Sequence, residues 1–184
     1  MKTMERPNFA WNLAFIWLWV MTHTFWRVTV LGRENLPRKG AFILAPNHVS
    51  WEDPPLIAFY LYPRPVHYWT KVELSSVPVL GWVLRHMYTI PIKRGTVDRG
   101  AIDAAVAVLT GGNILGSFPE GSRHSDEVKK GSAFIARRAS CPIVPCGIVW
   151  KGRQVIIRFG QPIPPDGTTK ELTSVLEHAL ARLH

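Results

Sequence analysis

Acidic side chains are scarce in this chain: 13 Asp and Glu stand against 22 Lys and Arg, a formal net charge of +9 over 184 residues. A surface so short of carboxylates favours polyanionic partners, whether nucleic acid, an anionic membrane surface or phosphorylated substrates. Charge of either sign is thin, at 19% of residues, while 47% are apolar and Trp occurs 8 times. That balance excludes a disordered chain and an ordinary highly charged cytosolic one, and points to contact with something apolar. Cysteine is nearly absent. Cys141 and Cys146 lie five apart in a stretch that reads as a buried strand, so a disulfide framework is not implied and small core residues are expected. Zinc-finger spacing and RNP-type signatures are missing and the basic residues are scattered, so nucleic acid is not an expected partner. Internal repeats and low-complexity segments are absent as well, and the length suits one domain with a small appendage.

The appendage is N-terminal. From Phe9 to Trp26 the chain reads FAWNLAFIWLWVMTHTFW, without Asp, Glu, Lys or Arg, flanked by Lys2, Arg6 and Arg27. Residues 1–26 are therefore expected to form a membrane-associating helix, with Trp11 and Trp26 near its ends at headgroup level. Asn12, Thr22, His23 and Thr24 shorten the apolar core, which favours a monotopic helix dipping into one leaflet over a short transmembrane span or a helix packed on the domain. No A-x-A-like cleavage site follows, so the segment is expected to be retained.

Residues 27–184 alternate short apolar runs with helical patterns. Strands are expected near 28–31, 41–45, 66–69, 88–92, 114–118, 143–149 and 155–159, and helices over 54–62, 72–86, 98–109, 130–139 and 169–183. The fold class is α/β, a single domain with a largely parallel central sheet flanked by helices. In such sheets ligands gather at the loops leaving the strand carboxyl ends, and three of those loops carry polar residues with chemical potential.

The first is Asn47-His48-Val49-Ser50-Trp51-Glu52-Asp53-Pro54. Asp53, followed by Pro54 and Pro55, reads as a helix N-cap, and a carboxylate there can turn back to hold one ring nitrogen of His48 while the other serves as a base. A plain cap and a plain loop histidine are the bland alternatives. Ser50, His48 and Asp53 are also the residue types of a hydrolase triad, but three groups within six residues would struggle to align and no G-x-S-x-G elbow is present. As a metal site H-x4-D offers two ligands, and neither cysteine has a nearby His. The second loop, Phe118-Pro119-Glu120-Gly121-Ser122-Arg123, combines a glycine that lets backbone approach a ligand with an Arg able to grip phosphate, or is an ordinary surface turn. The third, Ile90-Pro91-Ile92-Lys93-Arg94, ends in two cations suited to an anion or to a solvated sheet edge. Lys71 follows its strand in the same way. Pro142–Ile148 carries no titratable group but a thiol and reads as a wall of the site or core.

Asn47-His48 with Asp53 resembles the N-H-x4-D motif of the glycerolipid acyltransferase family, typified by bacterial 1-acyl-glycerol-3-phosphate acyltransferases, and Phe118–Arg123 resembles its F-P-E-G-T-R block with Ser122 for Thr. Lys71–Leu74, Ile90–Arg94, Lys130-Gly131 and Pro142–Ile148 are similar to further blocks of that family in the same order. The chain departs from the family's pattern at Met87-Tyr88, where the family usually has a glycine, at Lys93, where it has Asp, and at Cys146, where it has Val or Ala. The resemblance implies transfer of a fatty acyl group from acyl-CoA or acyl carrier protein to the sn-2 hydroxyl of a 1-acyl-sn-glycerol-3-phosphate. It implies His48 and Asp53 as the catalytic pair and Lys71, Arg94, Glu120, Gly121, Ser122 and Arg123 as acceptor-binding residues. No metal and no cofactor beyond the thioester co-substrate are implied. The implied partners are the acyl carrier, a lysophospholipid acceptor and an anionic membrane surface, with the protein peripheral or monotopic on the cytoplasmic membrane and its site facing the cytoplasm. Other acceptors remain open (glycerol 3-phosphate, other lysophospholipids, lyso-aminolipids), as does a catalytically silent membrane-binding module; the sequence leaves the oligomeric state open.

Overall fold

Alternate side chains of a strand point to opposite faces, and Phe42, Ile43, Leu44 and Ala45 are all fully buried, so the strand they form needs a cover on each side. The computed structural model describes residues 7–47, 50, 52–75, 77–93, 98–118 and 125–183. In chain order its elements are α1 (Phe9–Phe25), β1 (Arg27–Leu31), β2 (Phe42–Pro46), α2 (Asp53–Leu61), β3 (Val66–Lys71), α3 (Val72–Ser75), α4 (Pro78–His86), β4 (Thr89–Ile92), α5 (Arg99–Thr110), β5 (Ile114–Gly116), α6 (Ser125–Ala139), β6 (Ile143–Lys151), β7 (Gln154–Phe159) and α7 (Thr169–Ala181).

The strands form one seven-stranded sheet in the order β1-β7-β6-β2-β5-β3-β4. From β6 to β4 all neighbours run parallel; β7 is antiparallel to β6, and β1 is parallel to β7. This is the largely parallel α/β sheet expected. The reversal comes from the two-residue hairpin loop Gly152-Arg153, where Gly152 takes φ 59°, a conformation tight hairpins reserve for glycine. Because β1 runs with β7, the end of α1 enters the sheet beside the end of β6.

Each face has its own core. Phe42, Leu44, Val66, Ile114, Val144, Ile148 and Ile157 pack with Trp11 of α1 and Leu56, Ile57 and Leu61 of α2. Ile43, Ala45, Leu115 and Ile143 pack on the other side with Ala105 and Leu109 of α5, Ala133 and Ala136 of α6, and Leu172, Leu176 and Leu180 of α7. The two cysteines are divided between these cores and are free and buried.

Several expectations need correction. The helix expected over 72–86 is two helices, because Pro78 forces the preceding Val77 into an extended conformation (φ −74°, ψ 122°) and then starts α4. The helix expected from 130 begins at Ser125; Gly131 lies inside it, where an added Cβ would meet nothing within 4 Å. The strand expected over 114–118 ends at Gly116. Tyr88, just before β4, takes φ 54°. Its ring compensates by packing edge-on against Trp11 (centroids 5.3 Å apart) and His67 (5.3 Å), and its hydroxyl accepts from the Asn8 N–H at 3.0 Å.

α1 is a helix of 17 residues, opened by the Asn8 side chain accepting from Trp11 N–H at 2.8 Å. No described helix is long and apolar enough to cross a membrane. Trp11, Leu18 and Thr22 are buried against the domain. Trp11 is therefore a core residue and not the headgroup anchor expected; Trp26 is half-buried and packs edge-on against Trp150, with centroids 5.5 Å apart. The outward tryptophans of α1 are Trp17 and Trp19, 58% and 51% exposed, in company with Phe9, Leu13, Ile16, Val20 and Phe25.

Candidate active site

β2 ends at Pro46 opposite Cys146, whereas β6 continues to Lys151. The last turn-length of β6 therefore overhangs the carboxyl edge of the sheet, above the segment that leads from β2 to α2. Asn47, the first residue off β2, is buried and reaches across to this overhang: its Nδ2 donates to the Ile148 carbonyl at 3.0 Å, and the Ile148 N–H donates to its Oδ1 at 2.6 Å. The amide holds the chain in place at the point from which the next residue, His48, departs. His48 itself lies outside the described residues.

Asp53 is completely buried. It is the first residue of α2, not its cap: the Leu56 N–H donates to the Glu52 carbonyl at 3.1 Å, which makes Glu52 the capping position. The Asp53 carboxylate is thereby freed to turn away from the helix axis. Its Oδ2 accepts from the Ser50 N–H at 2.9 Å and its Oδ1 accepts from the Trp150 indole N–H at 2.9 Å. A buried carboxylate is tolerable when donors and a helix N-terminus face it. Its charge, after burial, also helps push the Cys146 thiol up, so that sulfur stays protonated. The Ser50 hydroxyl donates to the Glu52 carboxylate, so both polar groups of Ser50 serve the turn, an arrangement unlike that of a triad nucleophile.

The flanks of the second motif are tied to the first. Tyr68 of β3 donates through its hydroxyl to the Pro54 carbonyl at 2.9 Å, and its ring stacks on Phe118 with centroids 5.5 Å apart. Gly116 makes this possible: a Cβ there would lie 2.1 Å from the Tyr68 ring. Thus Phe118, which opens the Phe-Pro-Glu-Gly-Ser-Arg run, rests on the same ring that anchors the start of α2. Ser117 adds a hold on α6 through its hydroxyl, 2.8 Å from that of Ser132, both buried. Glu120, Gly121, Ser122 and Arg123 lie outside the described residues.

Lys71 ends β3 on the same carboxyl edge and is exposed. Arg94 lies outside the described residues, but the chain is pinned on either side of it: the Lys93 N–H donates to Asp98 Oδ2 at 3.1 Å and the Ala101 N–H to Asp98 Oδ1 at 3.0 Å. These bonds hold the Asp98 carboxyl below its ordinary range, the Lys93 N–H first among them. Among the described residues no group of His, Cys, Asp and Glu could hold a metal ion.

Trp150, Asn47 and Tyr68 are the residues that sequence reasoning missed as site builders. Trp150 is 97 positions from the carboxylate it touches; no spacing signal could have paired them. Tyr68 was hidden in a strand expected only as scaffold, and Asn47 was noticed for its motif without a role.

A family model described as Acyltransferase matches residues 27–149. The chain is 32% identical over 120 residues to the 1-acyl-sn-glycerol-3-phosphate acyltransferase of Bacillus subtilis, covering 64% of this chain and 60% of that protein. It is 35% identical over 83 residues to the lyso-ornithine lipid O-acyltransferase of Pseudomonas aeruginosa, covering 44% of this chain and 31% of that one. The crystal structure of the 1-acyl-sn-glycerophosphate acyltransferase PlsC from Thermotoga maritima is similar to this fold with a TM-score of 0.66 and 28% identity, covering 94% of this chain and 76% of that one. The chain spans less than two thirds of the length of the curated relatives it matches.

Proposed function

The chain belongs to the acyltransferase family, and from that premise we propose that it transfers a fatty acyl group from acyl-CoA or acyl carrier protein to the sn-2 hydroxyl of 1-acyl-sn-glycerol-3-phosphate. The observation that supports this most is the buried Asp53 carboxylate, turned off its helix toward the segment that carries His48. His48 takes the acceptor hydroxyl proton as that oxygen bonds to the thioester carbonyl carbon. The carbon–sulfur bond then breaks, and the departing thiolate recovers the proton from the imidazolium. Asp53 fixes the tautomer of the imidazole and stabilises its charged form. Lys71, Arg94 and Arg123 seat the acceptor phosphate, with Glu120, Gly121 and Ser122 shaping the turn around it. No cofactor is required. The outward apolar face of α1 and the net positive charge fit a peripheral or monotopic seat on an anionic cytoplasmic membrane surface.

The test is thioester consumption with lysophosphatidate and each acyl carrier. His48→Ala should lower turnover by about 10²–10⁴-fold with the fold intact, the usual worth of general-base catalysis; a variant retaining most of the wild-type rate overturns the assignment. A second acceptor class is favoured by the likeness to the lyso-ornithine lipid enzyme. An acceptor panel that includes lyso-aminolipids separates the two. Free fatty acid released without an acylated product would point to hydrolysis, and vesicle binding without thioester consumption to a silent membrane module.

A further inference from the structure

We propose that Trp150 is a positioning residue for the Asp53 carboxylate, holding it in register for its imidazole partner, and that Trp26 steadies Trp150 from the side of the apolar helix. This rests on the acyltransferase reading above. A carboxylate rotates about its last bond unless both oxygens are engaged. Here the Ser50 N–H holds Oδ2 and the Trp150 N–H holds Oδ1, each at 2.9 Å, and the two donors come from different elements, the β2–α2 turn and the overhang of β6. An indole is suited to the task because it donates without titrating, and so cannot compete for the proton that the imidazole carries.

The indole is itself braced. The Trp26 ring meets it edge-on at 83°, with centroids 5.5 Å apart. Trp26 follows directly on α1, whose last carbonyls are gripped by the hairpin that carries Trp150: Arg153 donates from Nη2 to Thr24 O at 2.8 Å and from Nε to Phe25 O at 2.9 Å. A contiguous path runs from the end of the apolar helix through two tryptophans to the buried carboxylate.

Trp150→Phe in the full chain keeps a ring against Trp26 and removes the N–H. Turnover should fall about 10- to 100-fold, the range expected for a hydrogen bond to a charged group, with KM for thioester and acceptor changed less than about twofold. In an Asp53→Ala background the same substitution should cost nothing further, since its effect passes through the carboxylate. Wild-type turnover in Trp150→Phe, a KM effect alone, or additive losses in the double variant each overturn the proposal. Should Trp150→Phe fail to fold, Trp26→Ala decides: kcat should fall about threefold with KM unchanged, an order-of-magnitude expectation for a lost aromatic contact, and an unchanged kcat overturns the proposal. Absence of acyl transfer by the wild-type protein overturns the functional reading and this proposal with it, whereas an active wild type with an equally active Trp150→Phe overturns this proposal alone.

Discussion

α1 and α7 cover opposite faces of the same sheet, and they do it differently. α7 is sorted into an inner and an outer side: Leu172, Leu176 and Leu180 point inward, while Lys170, Glu171 and Ser174 face out. Its start is built for water, with a reciprocal capping box between Thr168 and Glu171. α1 also buries one stripe, Trp11, Leu18 and Thr22, yet its outer side is apolar from Phe9 to Val20. A helix that is apolar all round gains nothing by facing water. The difference teaches that the burial demand of one face is met inside the domain, while that of the other extends beyond it, toward the proposed membrane surface.

That contrast can be broken in several ways. The largest effect is expected from Leu176→Ala, which empties a fully buried position in α7 and should cost about 2–5 kcal/mol of unfolding free energy while vesicle binding by the folded fraction stays unchanged; a binding defect would mean that the two covers are not independent. Alkaline pH probes both faces together, since each core holds one thiol. Burial pushes Cys141 from 9.0 up to about 12, and Cys146 is raised too. Because the folded-state values lie above the unfolded one, their contribution is intact below pH 9 and is lost as pH climbs toward 12, a fall of order a few kcal/mol readable in denaturant titrations. Cys141→Ala should make the fall shallower, leaving the share of Cys146 and of the buried Tyr68 hydroxyl, which burial raises in the same direction. On the outer side of α1, Ile16→Ser or Trp17→Ser should weaken partition onto anionic vesicles about tenfold each while stability stays within about 0.5 kcal/mol; a stability loss without a binding loss would show that this face packs on protein. The smallest effect is Thr168→Ala, about 1 kcal/mol from removal of the α7 cap, with binding untouched.

Much of the fold was legible because the apolar runs are local signals. Each of the seven strands lies within a few residues of where hydrophobic pattern placed it, and the continuous burial of β2 is written in Phe-Ile-Leu-Ala. Helix boundaries were harder where proline and glycine act through context: Pro78 divided one helix in two, and Gly131 was absorbed into another. In the site, Asp53 could be singled out by its spacing from His48, which lies outside the described residues; the Ser50 N–H that its carboxylate accepts from was not anticipated. Its role as a cap could not be judged, since that depends on which carbonyl first receives a helical bond. Trp150 was out of reach: the contact exists because β6 outruns β2 at the sheet edge, a property of register that neither segment encodes alone. Tyr88 carries a similar lesson, for its left-handed backbone is paid for by distant rings.

The Asn47 amide deserves a last consequence. By giving one bond to Ile148 and taking one from it, this side chain imitates a peptide group and continues the ladder for one rung after the main chain has left. Leucine would offer neither bond, and aspartate would set an oxygen against the Ile148 carbonyl. Hydrolysis of that amide would therefore convert a closed seam into a repulsive one at the very point where the chain leaves the sheet.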